Sequence, residues 1–419
     1  MAARLLDVLC WIEVDLDAVG DNVRAVQAAA SPRQGVTAVV KAQAYGLGAA
    51  AVAQAALEAG ARGAAVARVR EAERLRQSGF LQLQLQRAPI LLLGGVAREE
   101  TKAVIDADLT PTVTDWPTAE RLASAAAAAS RCLGVHVKVD TGMTRYGAPP
   151  DEAMAIVRGL RQLPSLRLDG FYTHFAAADD PDPFFAHQQL ARFLAICQQL
   201  ESEGFSLGLK HAANSAGALR VPGAGLDTVR AGIALVGGYA TGWVPRVGSL
   251  RTAVALKARV VRLHTPAIGS SIGYGRTYKV YRPIRVALIA CGYADGLPRA
   301  CSNRGRVLIR GQRAPLVGTV SMDMAMADVS HLPEVAPGDE VVMLGRQGDD
   351  EIGLDEFAES AGIIPHELLV RLGSRAPRIY LRGGRPVGLG TLTCDETVPV
   401  EDTAPVELDA ALGVVGGDR

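Results

Sequence analysis

Short apolar runs recur along the first half of the chain, separated by alanine-rich stretches studded with polar residues. The runs fall at 37–40, 64–67, 89–93, 111–114, 135–139, 168–173, 209–213 and 228–236. None alternates strictly with polar residues, which is the pattern of parallel strands covered on both faces. The segments between them, including 118–130, 152–162 and 184–203, carry helical spacing. The alanine tract at 124–130 is low in complexity, but alanine is the strongest helix former, so it reads as part of an outer helix. Eight strand–helix units predict an α/β fold, a (β/α)8 TIM-like barrel over 11–248. Beyond Gly248 the texture changes to short β-rich segments at 254–263, 284–289, 307–309, 316–320, 326–329 and 340–344, with Gly, Pro and Asp turns between them. These predict a second, mainly β domain over 249–388, with a short helix near 354–361. A strand at 10–14 is a candidate to join that domain and not the barrel, and 389–419 reads as a flexible tail.

Composition narrows the function classes. Lys+Arg and Asp+Glu are both 44, so no net charge draws the chain to nucleic acid or to an anionic membrane. No run approaches the roughly 20 apolar residues needed to span a bilayer, and the stretch up to Cys10 is short and carries Asp7, unlike a signal peptide. The six cysteines (Cys10, Cys132, Cys197, Cys291, Cys301 and Cys394) form no CxxC pair and no ligand spacing with the histidines. They read as buried thiols of a reducing compartment, with no metal site expected. A cytoplasmic enzyme is the expectation.

The candidate chemistry centres on Lys41, in AVVKAQAYGLG (38–48). An apolar run ends in a lysine, followed by a glycine-punctuated loop and a helical stretch. A lysine at the end of a buried strand is costly unless it is paired or used. Desolvation lowers its pKa, and a neutral amine is a nucleophile toward aldehydes such as pyridoxal phosphate. The alternative is a lysine snorkelling to solvent at a strand end.

The chain resembles the alanine racemases from about Trp11 to Tyr380, on motifs that occur in that family's order. They are the Lys41 segment, VKVDTGMTRYG (137–147), YTHF (172–175), HAANS (211–215), VRAGIAL (229–235), GYGRTY (273–278), GYADG (292–296), SNRG (302–305) and SMD (321–323). The resemblance implies a pyridoxal-phosphate enzyme that interconverts L- and D-alanine, supplying a peptidoglycan precursor. It makes Lys41 the Schiff-base residue and the base on one face of the substrate, and Tyr274 the base on the other. Arg230 faces the pyridine nitrogen, His174 stacks on the ring, and Tyr45, Ser215 and the backbone of Gly232 and Ile233 hold the phosphate. By the same resemblance Arg145 would contact cofactor and substrate carboxylate, and Tyr293, Met322 and Asp323 would border the substrate. Lys138 matches a lysine often carbamylated in the family, which would steady Arg145, with an unmodified lysine paired to an acid as the alternative. Because Tyr274, Tyr293, Met322 and Asp323 reach a partner's barrel in the family, a homodimer with shared sites is implied.

Three positions depart from the family pattern: Gln43, Leu47 and, in IPHE (364–367), His366, where tyrosine is usual beside the cofactor phosphate and substrate pocket. A smaller, polar side chain at 366 suits serine or another small polar amino acid as substrate. Decarboxylation or retro-aldol cleavage on the same scaffold is a further alternative, as is a non-catalytic pyridoxal-phosphate carrier. The pairing of Lys41 with Tyr274 favours racemisation over these.

Overall fold

The computed structural model describes residues 8–78, 88–246 and 250–390, with the backbone of Val398–Pro399. Most of the tail expected over 389–419, Cys394 included, lies outside the described residues. Two compact units are present, one spanning Ala18–Arg251 and the other running from the N-terminal strand to Asp17 and again from Thr252.

The described chain opens on strand β1 (Cys10–Asp15). Eight parallel strands then build the Ala18–Arg251 unit: β2 (Val36–Val39), β3 (Gly63–Val66), β4 (Ile90–Leu92), β5 (Thr112–Val113), β6 (Leu133–Lys138), β7 (Leu166–Tyr172), β8 (Leu209–His211) and β9 (Val229–Ala231). They pair as two four-stranded arcs, β4-β3-β2-β9 and β5-β6-β7-β8. A parallel bridge between Leu91 and Thr110 joins the arcs at one seam, and Arg230 N–H donates to Ala213 O at the other. The result is the (β/α)8 barrel, and each expected apolar run overlaps one of its strands. Helices follow the strands, among them Ala49–Glu58, Trp116–Ala128 and Phe184–Ser202. The alanine tract belongs to Trp116–Ala128, whose start is fixed by Asp115 accepting from Thr118 N–H at 2.8 Å.

The second unit is a mainly antiparallel sheet. Its longest strands are β10 (Val254–His264) and β17 (Glu340–Gln347), accompanied by β13 (Val286–Ile289), β14 (Arg306–Ile309), β15 (Gln312–Pro315), β16 (Ala325–Asp328), β18 (Asp350–Ile352) and β19 (Arg378–Arg382). A small hairpin, β11 (Ser271–Ile272) with β12 (Tyr278–Lys279), carries the Tyr274 turn. Strand β1 pairs antiparallel with β10 and parallel with β19. Residues 11–15, which the 11–248 boundary assigns to the barrel, are thus hydrogen-bonded on both edges inside the β sheet. One expected strand, 316–320, is not formed. Val317 and Val320 are buried as expected, but Gly318 between them has φ +79°, so the run bends out of strand geometry. The strand lies instead at β15, a polar edge strand returned on β14 by a turn with φ +51° at Arg310 and +73° at Gly311.

The buried-thiol expectation holds for Cys197, Cys291 and Cys301; Cys10 is half-buried. It fails for Cys132, which stands exposed just ahead of β6. Folding also gathers what spacing could not reveal: Cys10, Cys291 and Asp295 bring their ligand atoms within 4.8 Å of one another. Asp295 is engaged there by Gly292 N–H and by both sides of the Arg375 guanidinium.

Candidate active site

Lys41 follows β2 after Val40, at the end of the barrel where the strands finish. The expected loop after it is a left-handed helical turn: φ lies between +50° and +58° at Ala42, Gln43, Ala44 and Tyr45. Such a conformation costs roughly 1–2 kcal/mol for each non-glycine residue, so its neighbours must hold it. Ala44 N–H donates to Val40 O, Gly48 N–H to Gln43 O, and the Gln43 side chain accepts from Ala49 N–H at 3.1 Å. Leu47 is fully buried behind the turn. Ala42 N–H, the first donor after the lysine, reaches Glu71 Oε1 at 2.6 Å. Burial and then Arg145 press the Lys41 amine below its ordinary range, opposed by Glu71.

On the neighbouring strand β9, paired directly with β2, Arg230 is 3% exposed. Its Nη1 contacts His211 Nδ1 at 2.5 Å, and Nη2 reaches Thr173 O, Ala212 O and His174 Nδ1 at 2.8, 3.0 and 3.1 Å. No carboxylate lies within ion-pair distance of it among the described residues. An arginine has only donors, so His211 Nδ1 must accept, and the His211 proton sits on Nε2. That proton is donated to His136 Nδ1 at 2.9 Å, which places the His136 proton on its own Nε2. A chain of one cation and two neutral imidazoles therefore runs through the barrel interior. Burial holds His136 down to about 3 and His211 and His174 well below their usual range, with Arg230 adding to the effect on each. Arg230 itself is lowered by burial to about 10 and stays protonated at neutral pH. A Cβ on Gly170 would stand 2.5 Å from the His136 ring, so glycine there is what admits the imidazole. Tyr172 stacks on His211 with ring centroids 4.5 Å apart.

Lys138 ends β6 with its side chain buried, its ammonium 5.4 Å from the Tyr172 ring and 5.5 Å from the Tyr146 ring. Burial, Arg230 and Arg145 bring it down to about 7, against a weaker pull from Asp140. No acid is ion-paired to it among the described residues. Arg145 is exposed in the loop after β6.

The residues assigned to the phosphate converge beside the Lys41 turn. Ser215 heads the helix Ser215–Arg220, capped by Asn214, and its Oγ accepts from Gly232 N–H at 3.0 Å and Ala234 N–H at 3.3 Å. Gly232 N–H is therefore engaged by Ser215, and Ile233 begins the 3-10 turn that follows. A Cβ on Gly232 would lie 2.1 Å from Tyr45 Oη. Here the glycine makes room for a buried phenol whose pKa burial raises.

The remaining assigned residues belong to the β unit. Tyr274 is 73% exposed at the tip of the β11–β12 hairpin, its carbonyl accepting from Thr319 Oγ1 at 2.8 Å. The SNRG motif supports that neighbourhood: Asn303 donates to Thr277 Oγ1 and accepts from Gly318 N–H, and Ser302 Oγ accepts from Val320 N–H. Tyr293 N–H donates to Ser321 O and Ala294 N–H to Met322 O, so the Tyr293 and Met322 loops lie side by side. Asp323 is held by Arg375 at 2.8 Å. Tyr293 and Met322 are exposed, and His366 is half-buried near the start of the separate helix Pro365–Val370.

Sequence reasoning did not single out Glu71, His136 or His211 as site residues. The signal for His136 was its two-residue spacing from Lys138, which places both side chains on the same side of β6. Two observations test whether pyridoxal phosphate fits. The Tyr45–Gly232–Ser215 arrangement is a cradle that a Cβ would fill. Arg230 uses Nη1 and Nη2 on its neighbours and keeps Nε–H for a further acceptor. The residues fit the group.

Comparison with known proteins agrees. The alanine racemase N-terminal domain matches residues 14–240 and the alanine racemase C-terminal domain matches 253–380. The alanine racemase of Desulfosudis oleivorans is 41% identical over 387 residues, covering 90% of this chain and 98% of its own. That of Symbiobacterium thermophilum is 42% identical over 371 residues, covering 88% and 96%. Among solved structures, alanine racemase from Bacillus anthracis with bound L-Ala-P superposes with a TM-score of 0.82 at 34% identity, covering 92% of this chain and 98% of that one. The enzyme from D-cycloserine-producing Streptomyces lavendulae gives 0.81 at 34% identity, covering 90% and 98%. With both domains matched and relatives covering about nine-tenths of its length, this chain belongs to the alanine racemase family of pyridoxal-phosphate-dependent amino-acid racemases.

Proposed function

We propose that the chain interconverts L- and D-alanine, with Lys41 and Tyr274 moving the Cα proton on opposite faces of the substrate. The observation that carries this reading is the Lys41 amine, placed at a barrel-strand end and pressed toward neutrality by burial and Arg145. Pyridoxal phosphate, when bound, supplies an electron sink conjugated with Cα. Lys41 holds the cofactor and takes or returns the proton at Nζ. Tyr274 does so at its phenol oxygen on the other face. Tyr45 and Ser215 hold the phosphate, with Gly232 and Ile233 lining it, and His174 packs on the ring. Arg230 stays charged, and its remaining Nε–H would donate to the pyridine nitrogen of the cofactor, which an always-charged donor would hold unprotonated. Arg145 and Met322 N–H orient the substrate carboxylate, with Tyr293 and Asp323 beside it. Lys138, brought down to about 7, is partly neutral at neutral pH and so available for carbamylation. The exposed Tyr274, Tyr293 and Met322 support a homodimer in which these residues complete a second copy's barrel site. No helix among the described residues is long and apolar enough to cross a membrane, in keeping with a cytoplasmic enzyme that supplies D-alanine.

The test is α-proton exchange in heavy water with each alanine enantiomer, serine included because of His366. Tyr274→Phe is expected to stop exchange from one enantiomer while the other still exchanges, and Lys41→Ala to stop both. Equal residual exchange from both enantiomers in Tyr274→Phe would sink the two-face assignment. Exchange confined to serine would replace alanine as the substrate.

A further inference from the structure

Glu71 is the third residue of the helix Val69–Gln77, where a glutamate ordinarily closes a capping box with one carboxylate oxygen. Its Oε2 does that work, accepting from Ala67 N–H at 2.8 Å and Arg68 N–H at 3.0 Å. Its Oε1 reaches out of the cap to Ala42 N–H at 2.6 Å, the shortest of the three contacts. Ala42 N–H belongs to the peptide that joins Lys41 to the left-handed turn, so the carboxylate fixes the plane of that peptide. The turn contains no glycine until Gly46. An external acceptor at its first donor is what a strained non-glycine turn requires. The same contact leaves a negative charge beside an amine that otherwise faces the cations Arg145 and Lys138 and the neutral His174.

We propose that Glu71 is a positioning residue for the reaction: its carboxylate ties the helix after β3 to the Lys41–Ala42 peptide and so aims the lysine. The proposal rests on Lys41 being the cofactor-bearing lysine. Loss of the carboxylate frees the Lys41–Ala42 peptide to rotate and withdraws the charge that opposes Arg145.

The experiment follows pyridoxal phosphate recombining with enzyme from which it has been removed, read by absorbance as a function of pH. Wild type, Glu71→Gln and Glu71→Asp are compared. The rate rises with pH to a plateau as the amine loses its proton. Glu71→Gln places an amide where a double acceptor is needed and carries no charge. Its plateau is expected to fall about tenfold, as for a misplaced reacting group, and its inflection to move to lower pH. Aspartate is one methylene shorter, so it retains the charge and the helix cap but does not reach Ala42. Glu71→Asp is expected to melt near wild type and keep the inflection, yet to show a lowered plateau. If Glu71→Gln does not fold, the plateau of Glu71→Asp decides alone. A plateau equal to wild type in every folded variant overturns the proposal and leaves Glu71 a helix cap. Borohydride reduction of the wild-type holoenzyme and peptide mapping keep the two assignments separate. Label on another lysine removes the Lys41 reading itself, whereas label on Lys41 with an unmoved plateau removes only the role of Glu71.

Discussion

Gly232→Ala tests the phosphate cradle through a single methyl group. The added Cβ would lie 2.1 Å from Tyr45 Oη and 2.9 Å from its Cζ, where ordinary contacts begin at 3.4 Å, so the phenol must retreat by about 1 Å. Neither side yields easily. Gly232 N–H is bonded to Ser215 Oγ and its carbonyl accepts from Leu235 N–H at 2.9 Å. Tyr45 is anchored in the left-handed turn at φ +58°, its ring buried. Overpacking of this size costs about 1–3 kcal/mol of stability. A displaced hydroxyl also forfeits a hydrogen bond to a charged phosphate, about 1.5–3 kcal/mol, which is roughly ten- to hundredfold in affinity. Absorbance titration of the apoenzyme with pyridoxal phosphate measures the second effect, and urea unfolding of the apoenzyme the first. Tyr45→Phe removes Oη and with it the worst contact, so in that background Gly232→Ala is expected to lose most of its penalty on both readouts. Equal penalties in the two backgrounds would refute the steric reasoning, whatever their absolute size.

Two further substitutions probe the charged interior. Arg230→Lys keeps the cation but loses the planar fork shared among His211, His174 and two carbonyls, so the apoenzyme is expected to lose about 2–4 kcal/mol in urea unfolding; a loss below about 0.5 kcal/mol, the range of ordinary surface changes, contradicts the assignment. Lys138 has a pKa of about 7 in the fold against an ordinary 10.5, so the folded chain binds fewer protons than the unfolded chain between those values. Stability therefore rises with pH across that window, and the penalty of the charged amine is fully present below it. In carbon-dioxide-free buffer, Lys138→Met is expected to gain most over wild type at pH 6 and to lose that advantage toward pH 10; an advantage that does not change with pH rejects the reasoning.

Much of this arrangement was legible because the barrel imposes its own grammar. Each apolar run became a strand since a doubly covered strand has no polar positions to confuse the period. Lys41 and Ser215 were visible as polar residues following such runs, and Lys138 and Arg230 as charged residues inside them. The β unit was harder to read. The run 316–320 is as apolar as a strand and is buried like one, yet Gly318 turns it aside, and the strand formed from Gln312–Pro315 has no apolar signature because it is an edge. The tie from Glu71 to Ala42 was illegible for a different reason. It joins helix to loop across 29 positions, and a glutamate at the third residue of a helix is already explained by the cap. His136 on β6 and His211 on β8 meet across the intervening β7, a pairing between non-adjacent strands that no local spacing announces.

The charges at the strand ends divide by residue type. Arg230 remains protonated at neutral pH even with its pKa lowered to about 10, and an arginine has no accessible neutral form to retreat to. The amines of Lys41 and Lys138 do have one, and both are pushed toward it by burial and by Arg145, with Arg230 acting on Lys138 as well. The histidines offer no relief, because Arg230 occupies the nitrogens at which His174 and His211 would accept a proton, and His211 does the same to His136. A proton leaving this cluster near neutral pH must therefore leave a lysine. Arg145 thus helps make a nucleophile of Lys41, and Arg145 with Arg230 of Lys138, while one carboxylate, Glu71, limits how far the process goes at Lys41.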